Sequence, residues 1–188
     1  MRLFYRLFYI LAKKEQEKLN QPHSMRYLYY YNAKARLGEP IKILILLLLS
    51  LFTNSLIETA LAILAFGTIR INSGGFHAMS SNVCLLYSFL ILNTAGIISR
   101  YSDVSYVLLA VLSVFAVVLL IIECVKAEIM LKSSMLTLLV NLFVAWLLNL
   151  YLSTNFGFAI ILGALGEIIT MTNVGNKIMD FTERKLFH

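Results

Sequence analysis

Six apolar runs, at 41–53, 56–69, 83–99, 104–122, 135–152 and 155–172, dominate this 188-residue chain. The last four are about 18 residues long, close to the ~20 that a helix needs to cross ~30 Å of hydrocarbon. The first two are shorter. They are either short spans lengthened at their ends or a hairpin that dips into the bilayer and returns. In both cases the pair brings the chain back to its starting side. With 60% hydrophobic and only 14% charged residues, the chain is more apolar than a soluble domain, which has about 45–50% and about 25%. These features imply an all-α integral membrane protein of about six short transmembrane or re-entrant helices. The length suits one membrane-embedded domain over 1–188, with a basic N-terminal region (1–38), a helical bundle (41–172) and a tail (173–188). It leaves no room for a second, soluble domain.

The charges define an orientation. The net charge is +6, but the positive residues sit between apolar runs. They therefore point to bilayer orientation and anionic lipid, not to nucleic acid. If alternate connectors lie on opposite sides, every lysine and arginine except Arg100 falls on one face. That face is expected to be cytoplasmic and to carry both termini. The opening MRLFYRLFYILAKK has Leu3, Phe4, Leu7, Phe8 and Leu11 at helical spacing, interrupted by Arg2 and Arg6. It reads as an amphipathic helix lying in the interface, not as a cleaved signal. Pro40 is expected in the first turn of the helix that follows, where its missing N–H costs nothing.

One polar stretch contrasts with the surrounding apolar sequence: RINSGGFHAMSSNVC, residues 70–84. It holds His77 and Cys84, two of the most reactive side-chain types in the chain. A histidine beside a thiol takes its proton, and the imidazolium then stabilises the thiolate nucleophile. Ser80 or Ser81 suits the N-cap of the next helix. Cys84 would then lie near the first turn, where the helix dipole favours a thiolate and unpaired N–H groups favour an oxyanion. Positions seven apart on one straight helix are about 10.5 Å apart along its axis. Contact between His77 and Cys84 therefore requires a break near 79–81, with Gly74 and Gly75 supplying the turn. Cys124 has no histidine nearby and reads as a small buried side chain. With two cysteines and no ligand cluster, neither a disulfide framework nor a metal site is expected, and no cofactor is implied. Glu58 and Glu167 lie within apolar runs, where an ionisable group calls for a functional reason. Glu123 lies at a helix end.

The pattern Arg70, Gly74, Gly75, His77, Cys84 resembles the signature of the accessory gene regulator protein B (AgrB) family. The resemblance is strongest from about residue 36 to residue 90 and looser over the rest of the chain. It implies a membrane cysteine endopeptidase of Gram-positive bacteria that processes a quorum-sensing propeptide, AgrD. That partner has an amphipathic leader and an acidic C-terminal tail. In the family, the cysteine removes the tail and holds the remainder as a thioester. An internal nucleophile then attacks it, closing a thiolactone or lactone ring. Carried over, Cys84 is the nucleophile and His77 the general base and acid. Arg70, with Gly74 and Gly75, binds a substrate carboxylate or positions the loop. The orienter of His77 is left among Glu58, Glu123 and Asn72.

This chain departs from the family in its 123–134 connector (ECVKAEIMLKSS), which is short, lacks proline and has two lysines. Recognition of the tail therefore falls to Arg26, Lys34 and Arg36, with Lys126 and Lys132 assisting. Six short segments enclose little interior, which is compatible with a homodimer. Two other readings remain open on sequence. A transporter would use Glu58 and Glu167 along a path and would work without Cys84. A non-catalytic scaffold would bind the peptide without cutting it.

Overall fold

The computed structural model describes residues 9–10, 12–14, 16–18, 26–73, 81–127, 131–152, 154–172, 175, 177–178 and 181. Six long helices follow in order: α1 (Arg26–Phe52), α2 (Leu56–Ser73), α3 (Ser81–Tyr101), α4 (Tyr106–Ala127), α5 (Leu131–Tyr151) and α6 (Thr154–Met171). No strand occurs among the described residues. The chain divides into two compact units, Met1–Ile45 and Leu46–His188.

In the first unit, 9–10, 12–14 and 16–18 are helical. Ala12 and Gln16 are buried on one face, and exposed Lys13 and Glu17 pair at 3.7 Å on another. Residues Leu3, Phe4, Leu7, Phe8 and Leu11, the expected lipid-facing set, lie outside the described residues. Pro40 is not in the first turn of its helix. It lies inside the 27-residue α1. Proline removes one backbone hydrogen bond and crowds the preceding turn. Strong helix formers on both sides, including the leucine run after it, carry the helix through, as apolar helices in membranes often tolerate.

The second unit is an antiparallel bundle. Asn54 closes α1 with a left-handed backbone, φ 52°. Its N–H donates to Leu51 O at 3.3 Å, and the next N–H, on Ser55, donates to Ser50 O at 3.1 Å. Asparagine is one of the few side chains that occupy this helix-ending conformation readily. Ser105 begins α4, its hydroxyl accepting from Leu108 N–H at 3.3 Å. At this end Tyr101 OH donates to Thr53 O (3.0 Å) and Asn155 Nδ2 to Arg100 O (3.4 Å). At the other end Ser134 Oγ donates to Asn72 O at 3.3 Å. The ends thus sort into two groups, with 53–55 and 102–105 on one side and the end of α2 and the start of α5 on the other.

α6 is the centre of this unit. From Phe158 to Ile168 it is buried almost continuously, and Ile161, Ala164, Glu167 and Ile168 are inaccessible. Small residues allow this. A Cβ on Gly163 would overlap the backbone of Ala62 on α2, with Ala62 Cα at 2.7 Å. A Cβ on Gly96 of α3 would strike the side chain of Thr59 on α2. Lipid tails are as apolar as leucine, so helices in a membrane gain from close backbone approach more than from further oiliness. α4 and α5 instead expose Val107, Val111, Val114 and Phe115, and Leu136, Leu139, Val140 and Phe143. The stretches Tyr106–Val125 and Ser133–Tyr151 are long and apolar enough to cross a membrane, and only 28% of each is buried within the protein. A core helix of a soluble protein would be covered. These faces suit a hydrocarbon solvent.

Candidate functional site

The last turn of α2 carries Arg70, and α3 begins at Ser81. The chain between them contains Gly74, Gly75 and His77, which lie outside the described residues. So does the expected break near 79–81. Cys84 falls in the first turn of α3, and its backbone is helical. Its side chain lies outside the described residues, as do those of Arg26, Lys34, Arg36, Lys126 and Lys132. Lys126 lies in the last turn of α4 and Lys132 in the first turn of α5.

Arg70 reaches across to α6. Its Nη1 lies 3.5 Å from Glu167 Oε2, and its guanidinium stands 5.7 Å from the centre of the Phe66 ring. Cation and ring attract through the ring quadrupole. The Glu167 side chain is wholly inaccessible, whereas that of Arg70 is 19% exposed. Thr170 Oγ donates to Glu167 O at 2.7 Å and lies 3.2 Å from Glu167 Oε2. The residue before Glu167, Gly166, presses on α3: a Cβ there would meet Ile91 Cγ2 at 2.5 Å. Consecutive residues of α6 therefore touch both helices that flank the glycine–histidine–cysteine segment.

A polar seam joins α2 to α5 near the same end. Asn141 Nδ2 donates to Thr68 Oγ at 3.0 Å, and Asn72 Nδ2 donates to Thr68 O at 2.9 Å. Ser134, whose hydroxyl donates to Asn72 O, also hydrogen-bonds the Cys124 thiol. Cys124 is buried. Glu123 is buried beside it at the end of α4.

Glu58 lies elsewhere. It is twelve residues before Arg70 on α2, about 18 Å along the axis at 1.5 Å per residue. Its Oε1 is 3.3 Å from Arg100 Nη1 at the end of α3, with Glu58 near the positive end of one helix dipole and Arg100 near the negative end of another. Of the three orienter candidates, Asn72 and Glu123 share the end of the bundle that carries Arg70, and Glu58 does not. Among the described residues no group of three or more His, Cys, Asp or Glu forms a metal cage.

A cleft of about 470 Å³ opens between α3 and α6. It is lined mainly by apolar residues, including Ile91, Ile98, Leu165 and Ile169. Tyr87 stands at one end, one turn beyond Cys84 on α3, and its hydroxyl donates to Ile178 O at 3.4 Å.

The model of the family described as Accessory gene regulator B matches residues 5–172. The chain belongs to the AgrB family. A protein of Clostridium perfringens (strain SM101 / Type A) named AgrB-like is 23% identical over 197 residues, covering 90% of this chain and 92% of its own. AgrB-like protein 2 of Clostridium perfringens (strain 13 / Type A) is 29% identical over 93 residues, half of this chain and 44% of the relative. No solved structure matches the chain. AgrB membership and the two uncovered apolar helices together make this a membrane protein. It also associates the chain with processing of the agr quorum-sensing propeptide.

Reasoning from sequence missed the partners in this AgrB chain: Glu167 for Arg70, Glu58 for Arg100, Thr170 on Glu167, Ser134 on Asn72, and Asn141 on Thr68. The available signal was a polar residue in an apolar run. Asn141 is of that kind, and it reaches Thr68 on α2.

Proposed function

We propose that this AgrB protein is a membrane-embedded cysteine endopeptidase and cyclase, with Cys84 as nucleophile and His77 as general base and acid. The observation that carries this reading is the Arg70–Gly74–Gly75–His77–Cys84 signature in a chain of this family, with Cys84 in the first turn of α3. His77 takes the Cys84 proton, and the thiolate attacks the scissile carbonyl. N–H groups at the start of α3 stabilise the oxyanion. The C–N bond breaks, and His77 returns the proton to the leaving amine. The acyl group remains on sulfur as a thioester. A thiol or hydroxyl within the peptide then attacks it, closes the ring and frees Cys84. Water must be kept out, or hydrolysis competes with ring closure.

The substrate is an AgrD-like propeptide with an amphipathic leader and an acidic tail. The basic connectors attract that tail and the anionic lipid surface alike. The six helices α1–α6 cross or enter the membrane of a Gram-positive bacterium. The site and both termini lie on the cytoplasmic side, where a newly made peptide is found.

Intact-mass spectrometry of the protein in lipid, with its propeptide, tests this. Wild type and Cys124→Ala should release the tail and carry an acyl adduct, and Cys84→Ala should do neither. A whole propeptide in all three, with binding demonstrated, would remove the peptidase reading.

A further inference from the structure

Glu167 has no role in the chemistry above, yet it is a carboxylate placed in the most buried helix of the bundle. Burying a charge is costly unless it is paired and hydrogen-bonded. This one is incompletely paired. Its Oε2 faces Arg70 and Thr170, while Oε1 has no hydrogen-bond partner among the described residues. The Arg70–Glu167 contact is 3.5 Å long, not the short two-pronged pairing that makes arginine–carboxylate bonds strong. Replacing such a pair with apolar residues is often neutral or stabilising. Stability alone is therefore a poor reason for a glutamate here.

Its position supplies a better one. Arg70 is one turn before the end of α2, and Gly74 follows that end directly. Glu167 draws the Arg70 side chain onto α6, and Phe66 supports the guanidinium from its own helix. The neighbouring Gly166 sets α3 against α6 at Ile91, seven residues beyond Cys84. We propose that Glu167 is a positioning residue of the peptidase site: through Arg70 it fixes the end of α2, from which the segment bearing His77 departs, relative to the start of α3, which bears Cys84. This rests on the peptidase reading above. It assigns Arg70 to holding the loop, not to binding a substrate carboxylate.

The test needs no propeptide. Iodoacetamide alkylates Cys84 as its thiolate displaces iodide, so the rate reports how well the site activates the thiol. A Cys124→Ala background leaves Cys84 as the sole cysteine. In lipid nanodiscs, Glu167→Ala and Arg70→Ala should each slow alkylation about tenfold to a hundredfold, the usual scale for small misplacements of reacting groups. The double variant should be no slower than Arg70→Ala, because Glu167 acts through Arg70. Arg100→Gln, which breaks the ion pair at the other end of the bundle, should leave the rate unchanged. If Glu167→Ala does not fold, Glu167→Gln removes the charge at constant size, and Thr170→Val gives a smaller slowing in the same direction. The proposal is overturned by an unchanged rate in Glu167→Ala, by additive losses in the double variant, or by equal slowing in Arg100→Gln. Failure of the peptidase reading looks different: His77→Ala would then leave Cys84 alkylation at the wild-type rate.

Discussion

Two glycine-to-alanine substitutions, chemically identical, should have opposite effects. At Gly163 the added Cβ would lie 2.7 Å from Ala62 Cα and closer still to its carbonyl oxygen. Ordinary carbon–carbon contact is about 3.5–4.0 Å, so the overlap is roughly 1 Å. The obstacle is backbone and cannot rotate away. α2 and α6 must part, at a cost of about 1–3 kcal/mol. At Gly67, on α2, nothing lies within 4 Å of the added Cβ. Alanine there gains helix propensity, up to about 1 kcal/mol. At about 2–4 °C per kcal/mol for a chain of this size, the two variants should melt roughly 5–15 °C apart. Trp146, the chain's single tryptophan, stacks on Tyr106 at 6.4 Å and reports the α4–α5 contact by fluorescence during thermal unfolding in nanodiscs. Equal melting temperatures, or Gly163→Ala above Gly67→Ala, would refute the close crossing of α2 and α6.

Other outcomes follow from the same geometry. Arg100→Ala should destabilise more than Glu58→Ala, by chemical denaturation. The first strands a carboxylate that is 3% exposed, at about 3–5 kcal/mol, and the second leaves an arginine that is 49% exposed and free to hydrate. Ser134→Ala removes a hydroxyl shared by Asn72 and Cys124 and should cost about 1 kcal/mol, near the scale of interhelical hydrogen bonds in membranes. A cost of zero would show that the contact is not formed. In intact cells carrying the protein with Cys84 and Cys124 replaced, Asp103→Cys should react with an impermeant maleimide from outside, whereas Lys177→Cys should react only after permeabilisation. Labelling of both from outside would contradict the orientation read from the charges.

Much of the helix layout was legible because apolar runs and helices share boundaries to within a few residues over 83–172. The largest difference is α1, which begins at Arg26, well before its apolar run at 41–53. Residues 70–73, 123–127 and 131–134 also continue helices beyond their apolar runs, where Ser134 donates to Asn72 O. Pro40 misled for a related reason: its local cost is real, but the helix formers around it outweigh that cost. The sequence offered a candidate site as a spacing, Arg70 to Cys84, within one short stretch. The partner of Arg70 on α6 was not legible. Arg70 and Glu167 lie 97 residues apart, and nothing in a period or a motif joins them.

By itself the sequence determined the solvent and most of the helices, because both rest on local composition: apolar length and charge placement. Only the tertiary structure decided which apolar helix is central. α4 and α6 are both oily, and hydropathy cannot distinguish a face turned to lipid from one turned to protein. The difference lies in Gly157, Gly163 and Gly166, where missing side chains let α6 approach its neighbours closely. That approach buries Glu167 and leaves Arg70 as the charge beside it.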